Sequence, residues 1–232
     1  MAHKVWHHHG QMSEAFRTVM FLSASGGLQD AYTYIGRGKV FANAQTGNIV
    51  LMSQAAFDGD LARVLHYLIP LLSFALGVAV AEAIHIRYRE AKRLHWRQLV
   101  LLVEILLLFG VGFIPNTLDL AANALVSFAC AMQVQAFRKV HSYPFASTMC
   151  IGNMRSGMES LVVYFHLHDK KVLHKALHYF GVILLFAIGA GVGAHCVGVF
   201  GNKTIWFSCA LLLVSLCFMF IQDEEEALKE KA

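Results

Sequence analysis

The sequence predicts an all-α polytopic membrane protein made of two pseudo-symmetric halves, and three observations predict it. Only 15% of the 232 residues are charged while 57% are hydrophobic, whereas soluble domains average about 25% and about 45–50%. The mean hydropathy is +0.53, so the chain cannot cover its own surface in water. Six apolar stretches are long enough to cross the bilayer, which takes about 20 helical residues for about 30 Å of hydrocarbon. The third observation is an internal repeat. Together they exclude a soluble globular domain, a disordered chain, a basic nucleic-acid-binding domain and a disulfide scaffold.

The six stretches are 15–35, 66–86, 98–114, 118–137, 177–200 and 204–221. Two more, 40–57 and 145–165, are apolar but interrupted by polar residues near their middles. An offset of 105 residues brings Asp30-Ala31 onto Gln135-Ala136 and Gly47-Asn48 onto Gly152-Asn153. An offset of 112 brings Phe74-Ala75-Leu76-Gly77 onto Phe186-Ala187-Ile188-Gly189. The chain therefore divides, within a single membrane domain of 1–232, into a first repeat over 15–115 and a second over 118–221. If 40–57 and 145–165 cross fully, there are eight spans in two parallel halves. If they are broken or re-entrant, there are six, and the halves are inverted.

Charge favours the inverted arrangement. With six crossings and both termini inside, fourteen basic residues fall on the cytoplasmic side, among them Arg17, the run Arg87, Arg89, Lys92, Arg93 and Arg97, and Lys170, Lys171 and Lys175. Only Arg37, Lys39, Arg63 and Lys203 fall outside, with Arg155 at membrane depth. Cytoplasmic loops carry the excess of Lys and Arg. Met1–Gly10 shows no apolar core of a removable signal, and His7–His9 could belong to an expression tag or be native.

Polar side chains inside a bilayer are costly and mark a cavity, a partner or a solute path. Here they are Gln29, Asp30, Asn43, Gln45, Thr46 and Asn48 in the first half, and Gln133, Gln135, Ser147, Thr148, Asn153, Arg155 and Glu159 in the second. The Gly47-Asn48 and Gly152-Asn153 pairs are the most specific signal. Glycine lets backbone leave helical geometry, and asparagine can satisfy the groups so freed. If half-helices begin at Thr46 and Cys150, their amides offer a weak positive field for anions or polar solutes. Alternatively the pairs are interhelical packing contacts. Asp30 is expected to pair with Arg155 across a pseudo-symmetric core, or to carry a coupled proton, while Arg155 could instead pair with Glu159 one turn on. Glu82 can snorkel to the basic loop; Glu104 lies deeper, without a counterpart. The substrate-binding set expected is thus Gln29, Asp30, Thr46, Gly47, Asn48, Gln133, Gln135, Gly152, Asn153 and Arg155.

The five cysteines lie in apolar stretches and read as small hydrophobes, and the His166, His168, His174 and His178 segment reads as an interfacial loop. Neither a metal nor a cofactor is expected, and no nucleophile-and-base set suggests an enzyme. The runs Gly77–Ala81 and Gly189–Gly193 suit close helix packing within one subunit or in a homo-oligomer.

The stretch Gly27-Leu28-Gln29-Asp30-Ala31, the triplet Thr46-Gly47-Asn48 and the later run Thr148-Met149-Cys150-Ile151-Gly152-Asn153-Met154-Arg155-Ser156-Gly157 resemble the YoaK-type family, bacterial integral membrane proteins with a domain of unknown function. Two departures are Ile151 where the triplet has threonine and Gln135 in place of asparagine. The resemblance implies an inner-membrane protein of the small-molecule transporter kind and supplies no substrate. The expected function is a transporter or channel for a small polar or anionic solute, with its site at the midplane between the two Gly-Asn elements. The alternative is a non-transporting membrane scaffold or regulatory subunit.

Overall fold

The computed structural model describes residues 9–88, 95–137, 148 and 150–231, the side chains of 9–16 and 221–231 excepted. His7, His8, Arg89, Lys92, Arg93 and Ser147 lie outside the described residues. Every described element is helical: α1 (His9–Ala31), continued by a π-helical turn Tyr32–Gly36, α2 (Gln45–Phe57), α3 (Leu61–Tyr88), α4 (Trp96–Val111), α5 (Asp119–Ala136), α6 (Cys150–Leu167), α7 (Lys170–Phe200) and α8 (Ile205–Lys231). Local chemistry sets several ends. His95 and Gln98 form a reciprocal cap at the start of α4, and the Asp169 carboxylate accepts the Lys171 N–H at the start of α7. Both satisfy backbone donors that the first turn of a helix leaves open.

Side-chain contacts fix the direction of each helix. Along α1 and α7, Ala24 meets Gly189, Leu28 meets Gly193 and Gly36 meets Val197, so the two run parallel. Likewise Gly77 meets Phe128 and Glu82 binds Gln135, which makes α3 and α5 parallel. The pairs Ser25–Ser208 and Ser215–Thr18 set α8 against α1. Cys130–Gln29 and Gln133–Leu22 set α5 against α1. Cys209–Ile105 and Trp206–Phe109 set α4 against α8. Thus α1, α4 and α7 run one way and α3, α5 and α8 the other.

The two remaining helices do not cross. After the π-turn the chain doubles back, and Asn43 bonds Asp30 and Gly26; Gly26 lies ten residues, or about 15 Å of helix, before Gly36. From there α2 rises to the turn into α3, whose His66 sits 2.7 Å from the Gly38 carbonyl. So α2 enters and leaves from one end, and its 13 residues span only about 20 Å. Opposite it, α6 begins next to Thr148, which touches Gly26, and ends where α7 begins, at the end marked by Arg97. The result is three crossings and one re-entrant half-helix per half, with the halves inverted rather than eight full spans.

Packing repeats the same relation. Helix α1 packs on α7 as α5 packs on α3; α4 packs on α5 as α8 packs on α1; α2 packs on α3 as α6 on α7; and α4 and α8 pack on each other. Three helical runs, Leu61–Tyr88, Asn116–Ala136 and Lys170–Phe220, are long and apolar enough by length and hydropathy to cross a membrane. Their outer faces show Leu65, Leu72, Leu76, Leu184, Ile188 and Val192, while Ser23, Ser25, Gln29, Glu104, Asn123 and Gln133 are buried inside. This inverts the soluble pattern, as a lipid solvent demands.

The small-residue runs are used within the chain. A Cβ on Gly77 would strike the Phe128 carbonyl, and one on Gly189 the Ala24 carbonyl. Gly191 meets nothing. Gly189→Val should therefore destabilise the protein by about 1–3 kcal/mol through forced separation of α1 and α7, while Gly191→Val changes the detergent melting midpoint far less. Topology is tested separately by impermeant thiol labelling of single cysteines in a background lacking the native five. Asp58→Cys and Lys170→Cys should label from opposite sides of the membrane; labelling from the same side is the eight-span result.

Candidate functional site

The site forms where the tips of the two re-entrant elements meet α1. At the first tip, Asp30 is 7% exposed, and its Oδ1 accepts the Asn43 N–H at 2.7 Å, with the Ala42 and Ala44 N–H groups also directed at the carboxylate. Backbone donors thus hold Asp30 in the manner of a helix N-cap. Asn48, wholly buried, clamps one residue by both of its backbone groups: Oδ1 accepts the Phe41 N–H at 2.9 Å and Nδ2 donates to the Phe41 carbonyl at 2.7 Å. Gln45 joins the clamp, its Oε1 accepting from Asn48 Nδ2 and its Nε2 donating to the Ala42 carbonyl. Gly47 leaves room for the Phe41 ring, which a Cβ would approach to 2.9 Å.

At the second tip Asn153 is also buried and bonded, whereas Gly152 faces open space. The repeat-equivalent residues Asn43 and Thr148 converge on one glycine. Asn43 Nδ2 donates to the Gly26 carbonyl at 3.2 Å, and the Thr148 methyl occupies the space a Gly26 side chain would need. The remaining polar atoms there, Asn43 Oδ1 and Thr148 Oγ1, are buried without a hydrogen-bond partner among the described residues.

Behind Asp30 lies a second polar cluster, which connects α1, α4, α5 and α8. Gln29 Nε2 lies 3.0 Å from Ser25 Oγ, 2.9 Å from Ser208 Oγ and 3.3 Å from Glu104 Oε1. The Cys130 thiol donates to Gln29 Oε1 at 2.6 Å, so this cysteine is a hydrogen-bonding member of the core and more than a small hydrophobe.

Several expected roles change. Arg155 does not reach Asp30. It points outward, its side chain 80% exposed, and pairs with Glu159 at 2.9 Å. Gln135 faces α3, donating to Glu82 Oε2 at 2.5 Å, so Glu82 finds a partner in the other half. Thr46 is exposed at the start of α2. Asn48 and Asp30 are committed to backbone, while Gln29 and Gln133 are buried in the centre. Glu104 belongs to the central cluster although its sequence position gave it no counterpart; its depth in an apolar run was the available signal. Arg37, expected in an outer loop, is wholly buried.

A six-crossing inverted repeat in which the residues leading into two half-helices, Asn43 and Thr148, converge on α1 beside a buried polar core is the class of membrane protein that this geometry defines. The family described as "Protein of unknown function (DUF1275)" matches residues 18–218, and the chain belongs to it. Over 209 residues it is 26% identical to the UPF0700 transmembrane protein YoaK of Bacillus subtilis (strain 168), covering 85% of this chain and 92% of that relative. No solved structure matches.

Asn48→Ala orphans both backbone groups of Phe41 and should cost about 1–3 kcal/mol for each group left without a partner. Asn48→Asp keeps the acceptor but loses the donor, and its melting midpoint should fall between those of Asn48→Ala and the wild type. Equal midpoints for all three proteins would contradict the clamp.

Proposed function

We propose that this membrane protein is a transporter for a small polar solute, which passes between the tips of the two re-entrant elements. One observation carries the reading: Asn43 and Thr148, equivalent in the repeat, each bring to the same glycine a buried oxygen without a hydrogen-bond partner among the described residues. Half-helices that meet at the midplane across an inverted repeat are the arrangement by which transporters bind solute. Asp30 already neutralises the amide end of α2, so that tip suits a neutral hydrogen-bond donor better than an anion. The alternative, a rigid scaffold, draws support from the commitment of Asp30 and Asn48 to backbone.

The excess of basic residues at the Arg97 end supports a reading in which that end, with both termini, faces the cytoplasm across a bacterial inner membrane. The solute class is tested in proteoliposomes with a panel of labelled polyols, amides, amino compounds and small anions. Uptake of a neutral donor solute should weaken in Asn43→Ala and Thr148→Val by about 0.5–1.5 kcal/mol of binding, about two- to tenfold in half-saturation, with the melting midpoint of Thr148→Val unchanged. Uptake of no solute, or uptake indifferent to both substitutions, sinks the transport reading and leaves the scaffold.

A further inference from the structure

Glu104 lies where α1, α4, α5 and α8 meet, with none of its surface exposed. One carboxyl oxygen is 3.3 Å from Gln29 Nε2, and the other, Oε2, has no hydrogen-bond partner among the described residues. That single donor is shared. Gln29 Nε2 carries two hydrogens and lies closer to Ser25 and Ser208 than to Glu104.

Among the described residues, no charge on the surrounding helices compensates. From α1 comes Gln29 and, one residue on, Asp30, whose carboxylate is held by the Asn43 N–H. Helix α5 presents Cys130, its thiol given to Gln29, and α8 presents Ser208 and Cys209, the latter's thiol directed at the Ile105 carbonyl. Where α3 nears α4, the His85 ring lies 4.3 Å from the Trp96 ring, tilted against it at the helix start, and pairs with Glu82. Of the described cations, Arg97 is two turns away and donates to the Ala136 carbonyl, while Arg37 at the opposite end is paired with Asp119. A carboxylate with neither a counter-charge nor a full set of donors is strongly disfavoured in a low-dielectric interior, and a bound proton relieves it.

We propose that Glu104, and not Asp30, is the proton-binding group of the transport cycle, so that the solute moves coupled to H⁺. It takes a proton from water on one side as the neutral acid and returns it on the other as carboxylate plus H⁺, with no other bond made or broken. The unpartnered Oε2 is the atom that carries the proton. This rests on the transport reading, because a scaffold has no use for an exchangeable proton at its centre.

Two measurements separate the two ideas. Infrared spectroscopy of the full-length protein in lipid, in H₂O and then D₂O, should show a protonated-carboxyl C=O band that is lost in Glu104→Gln and kept in Asp30→Asn. Retention of the band in Glu104→Gln, or its loss in Asp30→Asn, overturns the assignment whether or not any solute moves. For a solute that passes the uptake panel, Glu104→Gln should lose stimulation by a pH gradient yet keep solute–solute exchange. Stimulation that survives in Glu104→Gln also overturns it. If no solute moves, transport alone fails and the infrared band still decides the proton site. Glu104→Gln should match the wild-type melting midpoint, since its amide mimics the neutral acid; a large drop means the carboxylate is needed for folding and refutes the proposal.

Discussion

A chain that turns back inside a bilayer exposes N–H and C=O groups where no water can receive them, and each one left over costs several kcal/mol. Many of the groups of residues 37–44 have identified partners. The Arg37 N–H returns to Thr33 and the Lys39 N–H to Tyr34. The carbonyls of Arg37 and Gly38 are bonded by Asn123 and His66, both groups of Phe41 by Asn48, the Ala42 carbonyl by Gln45 and the Asn43 N–H by Asp30. Much of the polar chemistry of the first half is therefore consumed in making the re-entrant turn possible. What is left at its tip, Asn43 Oδ1, is available because these other groups are engaged.

The ends of the bundle are tied by two arginines used in one way. Arg37 donates to Asp119 at 2.8 Å, to the Tyr32 hydroxyl at 2.8 Å and to the carbonyls of Val111 and Ile114. It joins the π-turn after α1 to the C-terminal carbonyls of α4 and the first turn of α5, where the helix dipoles favour a cation and an anion respectively. At the other end Arg97 donates to the last carbonyl of α5, Ala136, and lies over the Trp96 ring. The planar guanidinium fork suits several carbonyls at once, which an ammonium could not match. Removing one partner of the buried Arg37 pair would strand a charge, at a cost larger than the pair itself contributes.

How much of this was legible in the sequence follows from which signals are one-dimensional. Length and hydropathy gave the crossings, the offset of 105 residues gave the repeat, and the skew of basic residues gave six crossings over eight. Helical phase was also available and would have corrected one error. Asn153 and Arg155 are two residues apart, so their side chains point about 200° apart on a helix; if Asn153 faces in, Arg155 must face out, and it cannot meet Asp30. Burial of Arg37 was not readable, because it depends on a π-turn that carries the chain over the end of α4. Nor was the partnership of Glu82 with Gln135, which needs α3 and α5 to be parallel neighbours across the two halves.

The departures from the repeat have a physical cause of their own. Two-fold symmetry brings matching positions face to face near its axis, and a point on the axis can hold only one side chain. Ser25 and Cys130 are mates at the 105-residue offset, and both bond the same amide, Gln29; Asn43 and Thr148 are mates, and both contact Gly26. Gln29 and Gly26 therefore lie close to the axis. The mate of Gln29 is Val134, and a second glutamine there would leave two long amides competing for one set of partners in a medium with no water to serve the loser. By either offset, 105 or 112, Glu104 falls on a residue without a carboxyl, Cys209 or Leu216, which spares the centre a second buried carboxyl beside the first. Identity between the halves should thus be highest away from the axis, where packing repeats, and lowest on it, where a site must be single. What reads in the sequence as a decayed repeat is the asymmetry that one central site requires.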